Sequence, residues 1–562
     1  MNINVGNFII DSQGYFSRDG QRIFPIGVNY WPGSCGVDMW QNWPVDEIKH
    51  DLDLIGRLGL NCLRFFLRWQ DFEPQLGQYD VGAFDRLCQF MTWCSERDLL
   101  VQPTLFVGWM SGGLFWPAWK GSRNLFHDPL MIERAVAFAG KAAGMLGSFR
   151  KIVLAIDQGN ELDCLPDSHE SSCDQIVHWS QAVNEAIRKS FPGCLIISGN
   201  DHVQVKDDTA WRLDVNLGLD LVSMHAYPVP GWHNAIAFDG LTDPLCQSLL
   251  PFYTKFARAF GPVMVQEFGS IISYGTEAID RYLQAVLPAC LKVGANGFLW
   301  WCLRNIRATS YNYVRVPFER SLGLVDDQDH PKPALTAFLT FAASLKEGNI
   351  PDLSSHNKPS IGLYIPKSYY YRNVPENPGN LPNRLSSWLI LANYILESLG
   401  HSPAMVRGGR QIDPEIKTIL IPGSLIDEHE ATALETWVAS GGTLIWHGPS
   451  YTAWCGVQSQ LTGAVPIDFR ETSSVLAEAF SDRWSFKTFP GGTMVELEMK
   501  TATSVVYDQR QLPLVLVNRL GHGSVVTALP CVEQELVDAG GQRAVRDRWK
   551  RWYEGMLSIA LE

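Results

Sequence analysis

Apolar runs of strand length alternate with longer amphipathic segments over the first 340 residues. The eight runs are FPIGVNYW (24–31), NCLRFFL (61–67), LLVQPTLFV (99–107), KIVLAIDQ (151–158), CLIISGN (194–200), LDLVSMHAY (219–227), PVMVQEFG (262–269) and GFLWWCL (297–303). Segments between them, such as VDEIKHDLDLIGRLGL, carry apolar residues three and four apart, which is typical of helices. Eight such units predict a closed (β/α)8 TIM barrel, because the alternative, a doubly wound open sheet, does not usually contain so many.

Two further regions flank this pattern. A short hairpin is predicted before the barrel, in NFIIDSQGYFSRDGQRIF, so that the barrel domain spans residues 1–345. Residues 346–360, rich in Pro, Ser and Asn, predict a linker. Strand–helix units then resume and predict an open α/β domain over 361–450, followed by a small β-rich segment and a C-terminal helix over 451–562.

Composition limits the possible functions. The chain has 562 residues, 46% hydrophobic and 19% charged, with a formal net charge of −13, which argues against binding to nucleic acid or to an anionic membrane. We find neither a signal-peptide pattern nor an apolar run of the roughly 18 residues that a membrane helix needs. The 12 cysteines are scattered without a CxxC pair, so reduced thiols and a cytoplasmic location are expected. Neither HExxH nor a Gly-rich phosphate loop is present, and no metal or cofactor is expected.

Polar and aromatic residues occupy the ends of the predicted strands. In strand order, they are Arg64 on strand two, Asn160 and Glu161 on strand four, His225 and Tyr227 on strand six, Glu267 on strand seven and Trp301 on strand eight. The carboxyl ends of barrel strands line the one mouth where active sites lie. The two glutamates, three strands apart, are therefore expected to face each other across this mouth.

Cleavage of a glycosidic bond requires two carboxyl groups that face each other. One group protonates the leaving oxygen, and the other supports the oxocarbenium-like transition state. Taken singly, each glutamate is also compatible with a helix cap or a salt bridge, and Arg64 with a structural ion pair. His225 and Tyr227 share one face of their strand, as two core residues would. Their joint occurrence at consecutive strand ends favours an active site.

The motifs around these residues resemble those of clan A glycoside hydrolases, particularly family 5. The similarity covers about residues 8–340 and includes NCLR, GNE, HAYP, QEFG and the strand-eight Trp. It implies a retaining mechanism with Glu161 as general acid/base and Glu267 as nucleophile. It also implies that Asn160 binds the sugar 2-OH, that Tyr227 contacts the nucleophile and that His225 tunes the acid/base.

The same resemblance places Arg64 beneath Glu267, where its charge favours the ionised carboxylate, and Trp301 beneath the sugar at the cleavage point. Many family 5 enzymes carry a His near the end of strand three, where this chain has Thr104-Leu105-Phe106 and then Trp109. Trp109 is a candidate sugar-binding residue. Tyr30, Trp31 and Trp69 are equally compatible with sugar platforms and with packing. Of the adjacent Trp300 and Trp301, one must face the helices.

Residues 360–530 resemble the middle domain of family 42 β-galactosidases, which is related to class I glutamine amidotransferases. The similarity is carried by ILIPGSLIDEHEATALETWVASGGTLI and LPLVLVNRLGHGSVVTALP. The corresponding turns, IPGS and WHGPS, lack the Cys that a glutaminase needs, so this flavodoxin- or amidotransferase-like domain is expected to be non-catalytic. The resemblance implies assembly into a homo-oligomer through this domain.

These observations predict a retaining, exo-acting β-glycosidase that acts on a β-linked oligosaccharide or glycoside, with β-mannoside as the leading substrate. The absence of an export signal and of a polymer-binding module favours exo action on small sugars. The alternatives are a β-galactosidase or β-glucosidase, an endo-β-mannanase or endo-glucanase, a transglycosylase, and an inactive carbohydrate-binding scaffold.

Overall fold

A computed structural model describes residues 7–206, 210–233, 236–270, 275–346, 348, 350–353, 359–370, 381–423, 426–448, 456–472, 474–487, 493–539 and 542–561. These residues form two compact units. The described residues up to 353 belong to the first unit and those from 359 to the second, except that 206, 230–233 and 236–238 group with the second unit.

The strands of the first unit are β1 (Ile9–Ile10), β2 (Phe16–Arg18), β3 (Gln21–Ile23), β4 (Ile26–Asn29), β5 (Cys62–Phe66), β6 (Leu100–Val107), β7 (Trp109–Met110), β8 (Gly113–Leu114), β9 (Ile156–Asn160), β10 (Ile196–Gly199), β11 (Val222–Ala226), β12 (Val263–Phe268) and β13 (Ala295–Trp300). Those of the second unit are β14 (Ile361–Ile365), β15 (Ala404–Arg407), β16 (Thr418–Pro422), β17 (Thr443–His447), β18 (Ala464–Glu471), β19 (Ser474–Ala479), β20 (Asp482–Lys487), β21 (Thr493–Met499), β22 (Thr503–Tyr507), β23 (Pro513–Leu520) and β24 (Gly523–Ala528).

The helices are α1 (Met39–Asn42), α2 (Val45–Arg57), α3 (Trp69–Phe72), α4 (Val81–Ser95), α5 (Pro129–Leu146), α6 (Pro166–His169), α7 (Cys173–Ser190), α8 (Val203–Lys206), α9 (Pro244–Arg258), α10 (Thr276–Lys292), α11 (Tyr311–Arg315), α12 (Pro333–Lys346), α13 (Leu381–Ser398), α14 (Glu428–Ala439), α15 (Gly456–Thr462), α16 (Val532–Asp538) and α17 (Arg543–Leu561). Within the described ranges, no helix combines the length and the apolar character needed to cross a membrane.

Eight parallel strands form the barrel in the order β10-β9-β6-β5-β4-β13-β12-β11. The two ends of this order meet where the backbone N–H of His225 donates to the carbonyl of Asn200 at 2.8 Å and Asp201 pairs with His225. The predicted (β/α)8 fold is confirmed. Its strands are buried on both faces, as expected of a parallel sheet covered by helices.

Local sequence signals mark the residues at which the barrel helices begin. Asp128 caps α5, accepting hydrogen bonds from the backbone N–H groups of Leu130 and Met131, and Pro129 occupies the first helical position. Ser172 and Gln175 form a capping box at the start of α7. Such signals fix where each helix begins and therefore how long each connecting loop is.

Strand register brings the polar side chains together. Asn29 lies beside Arg64 on neighbouring strands, and Thr104 lies beside Asp157. On the other side of the barrel, His225 lies beside Glu267. Because paired residues on parallel strands point the same way, this register builds one cluster at the carboxyl ends of the strands.

The fourth barrel strand differs from the prediction. It covers Ile156–Asn160, whereas the apolar run suggested 151–158. Asp157 and Asn160 are therefore part of the strand and do not follow it. The predicted N-terminal hairpin is a three-stranded antiparallel sheet, β1-β2-β3.

The second unit is built on a seven-stranded sheet in the order β15-β14-β16-β17-β24-β23-β22. Strands β22 to β24 come from the predicted β-rich segment, so the separation expected at residue 450 is not observed. Strand β15 was not predicted. Parts of the predicted linker (354–358) and of the IPGS and WHGPS turns (424, 449–450) lie outside the described residues.

A buried polar group lies at the carboxyl end of β17. His447 and Glu533 are both fully buried, with His447 Nδ1 2.7 Å from a Glu533 oxygen. Tyr553, on α17, donates its hydroxyl to the same oxygen. Glu533, in the first turn of α16, therefore connects this helix to β17 and to the C-terminal helix α17.

We predict that Glu533→Ala destabilises the second unit by about 3 kcal/mol, since buried polar groups that lose their partner cost roughly 1–3 kcal/mol each. For a unit of this size, that corresponds to a fall in Tm of roughly 6–12 °C. Differential scanning calorimetry of the full chain measures this change. Glu554→Ala, an exposed position on α17, serves as the control, and equal Tm values for the two variants would contradict the role given to Glu533.

Candidate active site

Arg64 lies at the centre of the barrel mouth with its side chain completely buried. Its Nε and Nη2 donate to Asp157 Oδ2 at 3.0 and 2.7 Å, and Nε also donates to Thr104 Oγ1 at 3.0 Å. Thr104 in turn donates to the same Asp157 oxygen at 2.7 Å. A buried guanidinium needs a charged partner, and Asp157 provides it.

Further hydrogen bonds of Arg64 reach two residues that the sequence had suggested, Glu267 and Asn160, and one that it had not, Asn29. Nη1 donates to Glu267 Oε2 and to Asn29 Oδ1, both at 3.1 Å, and Nη2 donates to Asn160 Oδ1 at 2.8 Å. Asn160 is thereby fixed with its amide nitrogen outward, donating to the carbonyl of Trp109 at 2.8 Å. The guanidinium of Arg64 therefore orients both Glu267 on β12 and Asn160 on β9.

Gly199 leaves the space that this arrangement needs. A Cβ atom at this position would lie 2.5 Å from Arg64 Nη2 and 3.1 Å from Asp157 Oδ2. The backbone N–H of Gly199 donates to the other Asp157 oxygen at 2.8 Å. Any side chain here would displace the guanidinium or its counter-ion.

Glu267 accepts two hydrogen bonds that favour its ionised form. Tyr227 donates its hydroxyl to Oε1 at 2.7 Å, and Arg64 donates to Oε2 at 3.1 Å. Burial nevertheless raises the pKa of Glu267 to about 7, with the nearby Glu161 adding to the rise while His225, Arg64 and Tyr227 oppose it. The desolvation of this carboxylate outweighs its two donors.

Glu161 directly follows β9 with a left-handed backbone, at φ 47° and ψ 46°. This conformation is unfavourable for a residue with a side chain and occurs mainly where the surroundings impose it. Here the Glu161 N–H donates to the carbonyl of Gly199 at 2.7 Å. Burial, followed by the charge of Asp201, raises the pKa of Glu161 well above its usual range.

Asp201, after β10, supplies the charge that raises the pKa of Glu161, and the neighbouring His202 acts in the opposite direction. His202 Nδ1 lies 3.0 Å from Asp201. Burial opposes ionisation of Asp201, but His202 and the backbone N–H of Val203 lower its pKa overall. Asp163, completely buried nearby, has a raised pKa because of burial and of Asp201. An ionised Asp201 therefore lies close to carboxyl groups that stay protonated.

His225 connects the two glutamates. Its Nδ1 lies 3.0 Å from Glu161 Oε1 and 3.7 Å from Glu267 Oε2, and burial lowers its pKa. Its Nε2 lies 3.2 Å from Gln266 Oε1. Since the amide nitrogen of Gln266 donates to Asp157, its oxygen must face His225. A neutral His225 therefore carries its proton on Nε2, and Nδ1 accepts a hydrogen bond from the protonated carboxyl group of Glu161.

The spacing of the two carboxyl groups fits a retaining glycosidase. Ligand atoms of Glu161, His225 and Glu267 all lie within 4.8 Å of one another. Retaining enzymes hold their carboxyl groups about 5 Å apart, whereas inverting enzymes need roughly 6.5–9.5 Å. The same three residues have the donor set of a metal site, but the Arg64 guanidinium on Glu267 disfavours a second cation there.

The two adjacent tryptophans on β13 and after it have different roles. Trp300 packs against Phe268 and Phe338, towards the helices, as one of the pair must. Trp301 lies at the mouth, its indole N–H donating to Glu319 Oε2 at 3.1 Å. Trp109 lies in the β7–β8 hairpin and is 36% exposed, which is compatible with sugar binding.

Three other aromatic residues pack inside the protein. Tyr30, Trp31 and Trp69 are at most 1% exposed. Tyr30 donates to Asp51, and Trp69 donates to Glu73. The packing interpretation is therefore the correct one for all three, since buried rings at these positions have no surface to offer a sugar.

The sequence interpretation missed several residues of the site, namely Asn29, Thr104, Asp157, Gln266 and Glu319. Asp157 and Gln266 each follow an apolar residue within a predicted strand, and a polar residue inside a barrel strand is a signal that could have identified them. Glu319 lies in the loop after β13, where no sequence pattern indicates its position.

Comparison with solved structures places these residues in a family. The chain is 43% identical to the exo-β-1,4-mannosidase Op5Man5 from Opitutaceae bacterium strain TAV5, over 97% of this chain and 99% of that one, with a TM-score of 0.92. No protein-family model and no curated protein matches the sequence.

Two more distant structures share the fold alone. GH5_18 from Streptomyces cattleya, in complex with GlcNAc, is 22% identical over 69% of this chain and 94% of that one, with a TM-score of 0.60. A catalytic mutant of Gan42B, a GH42 β-galactosidase from G. stearothermophilus, is 14% identical over 94% and 87%, with a TM-score of 0.70. From its similarity to Op5Man5, the chain belongs to the same glycoside hydrolase family as that enzyme, among the clan A retaining enzymes with a family 5-like barrel.

Proposed function

We propose that the protein is a retaining exo-β-mannosidase that removes terminal β-linked mannose. The observation that carries the proposal is the pair of buried carboxyl groups, within 4.8 Å of each other, in a chain 43% identical to an exo-β-1,4-mannosidase. The identity supports mannose over its epimers, and the spacing supports retention.

In the first half of the proposed reaction, Glu267 attacks the anomeric carbon while Glu161 protonates the leaving oxygen. The hydrogen bonds from Tyr227 and Arg64 favour the ionised form of Glu267 against the effect of burial, and they orient it because the two donors contact both oxygens. Glu161 starts protonated because of burial and the charge of Asp201. The two environments push the pKa values apart, as acid and nucleophile require.

In the second half, Glu161 deprotonates the water that hydrolyses the glycosyl-enzyme. Once Glu267 is esterified, its negative charge is gone. Because the two carboxyl groups interact, this loss lowers the pKa of Glu161 and favours the base form. His225 Nδ1, 3.0 Å from Glu161, keeps the carboxyl group oriented in both half-reactions.

We predict that the wild-type enzyme cleaves p-nitrophenyl β-mannoside in preference to the galacto, gluco, xylo and fuco analogues. In Glu267→Ala, turnover falls roughly a thousandfold or more because no nucleophile remains, and azide restores it with formation of the α-glycosyl azide. Release of p-nitrophenol across the panel measures both effects. Product size from a mannooligosaccharide series then tests exo action, for which mannose is the only early product.

Cleavage of another epimer alone would replace mannose as the substrate without changing the mechanism. Glu277→Ala, at an exposed position on α10, is the control and is expected to match the wild type. Wild-type rates in Glu267→Ala would remove the nucleophile assignment.

We also predict a bell-shaped pH dependence of kcat/KM, because the reactive form has one proton on the pair. As the pH falls through the pKa of Glu267, about 7, the nucleophile is protonated and the rate is lost. As the pH rises through the pKa of Glu161, the acid ionises and the rate is lost again. The two apparent pKa values belong to the coupled pair.

The Glu161→Ala variant tests this assignment. A dinitrophenyl mannoside, whose leaving group needs little protonation, is expected to form the glycosyl-enzyme at a near wild-type rate, while p-nitrophenyl mannoside loses roughly 10²–10⁴-fold. The alkaline limb of the pH profile disappears. Equal losses on both substrates, or an unchanged alkaline limb, would show that another group is the acid.

Oligomerisation through the second unit is also proposed. Large apolar side chains are exposed on three of its strands, among them Ile467, Leu476 and Val505, and exposed apolar surface of this kind often forms interfaces. We expect an oligomer in size-exclusion chromatography with light scattering, and dissociation in Ile467→Lys. A monomer at all concentrations would contradict this proposal.

A further inference from the structure

Loops after three barrel strands meet on one side of the mouth. After β6, the β7–β8 hairpin turns at Ser111 and Gly112, both with positive φ, as a two-residue hairpin turn requires. A Cβ atom on Gly112 would lie 2.2 Å from Val316, in the loop after β13. One on Gly36, in the loop after β4, would lie 2.4 Å from the hydroxyl of Tyr313. These close approaches form a wall at this side of the cleft, which we call the loop wall.

Glu319 lies within the loop wall, on the 3-10 helix Pro317–Ser321. Its Oε2 accepts the indole N–H of Trp301 at 3.1 Å and the hydroxyl of Ser111 at 3.2 Å. It thus joins the loop after β6 to the loop after β13. Its other oxygen, Oε1, accepts no hydrogen bond from the described residues, and Glu319 is partly exposed.

The position of Glu319 relates it to the reacting groups. Its charge contributes to raising the pKa of both Glu161 and Tyr227. Trp301, which it holds by the indole nitrogen, packs edge to face on Phe66 at the mouth. Asn160, next to Glu161, donates to the Trp109 carbonyl at the base of the same hairpin. The loop wall and the acid/base are therefore parts of one connected structure.

We propose that Glu319 binds a hydroxyl group of the terminal mannose, on the side away from the bond that is cleaved. The loop wall ends the cleft there, so that a sugar chain cannot continue past the first residue. A carboxylate oxygen is a strong acceptor for sugar hydroxyl groups, and a site built to bind a hydroxyl rejects the analogue that lacks it. This inference deepens the proposed function and depends on it, because it explains exo action and names a residue that selects the substrate.

The test compares p-nitrophenyl β-mannoside with its 3-, 4- and 6-deoxy analogues. In the wild-type enzyme, one analogue is expected to lose at least about 10-fold in kcat/KM relative to the parent sugar. In Glu319→Ala, the parent substrate loses about 10- to 100-fold, and this analogue loses nothing further. In Glu319→Gln, which keeps an acceptor for the Trp301 indole, the discrimination is expected to be intermediate.

A role limited to holding Trp301 predicts a different pattern. All four substrates would then fall by the same factor in Glu319→Ala, and the wild-type discrimination between them would remain, which would overturn the proposal. Wild-type enzyme that treats all the deoxy analogues like the parent would overturn it too. Failure of the proposed function is seen separately, as an absence of mannoside cleavage by the wild type. Thermal melting of both variants and of Glu277→Ala confirms that the proteins compared are folded.

Discussion

The contact between Arg64 and Asp157 is the interaction on which the rest of the site depends. A guanidinium without solvent exposure is stable in a barrel only if a charged partner and further acceptors surround it. Asp157 provides this charge. It accepts further hydrogen bonds from the side chains of Thr104 and Gln266 and from the backbone N–H groups of Gly159 and Gly199. The pair thus crosslinks several strands. The pair also fixes the position of Glu267, because Nη1 of Arg64 donates a hydrogen bond to its carboxylate.

Two glutamates in one cavity acquire different properties from different neighbours. Glu267 has two donors, and Glu161 has an imidazole and a nearby ionised aspartate. Neither difference depends on the glutamates themselves. The proposed division of roles between the two glutamates therefore depends on residues such as Tyr227, Asp201 and Gln266, which determine the protonation states before any substrate binds.

Much of this arrangement could be predicted from the sequence. The eight strands were recognisable from their apolar runs, and the residues at strand ends converge in the structure because the barrel topology leaves them no other place. Strand four was misplaced because the apolar run before it resembles a strand, whereas the paired residues include Asp157 and Asn160. Strand β15, with the short sequence AMVR, gave no alternation to recognise.

Other features depend on distances that no sequence pattern contains. Glu319 reaches the mouth through a loop whose path is set by packing of Val316 and Tyr313 against glycines. The tautomer of His225 follows from a hydrogen-bond chain through Gln266 that crosses three strands. Strands β22 to β24 were assigned to a separate segment because the chain between residues 448 and 502 interrupts the strand–helix pattern of the second unit.

That interruption has a consequence for how the chain is made. Strand β24 forms the parallel partner of β17, yet nearly eighty residues separate them. During translation, β17 emerges long before the strand that covers its edge, and its unpaired backbone groups stay available for about the time needed to add those residues. The central strand pair of the second unit therefore joins segments far apart in the sequence. Until β24 has been synthesised, the unpaired edge of β17 leaves the nascent chain exposed to aggregation.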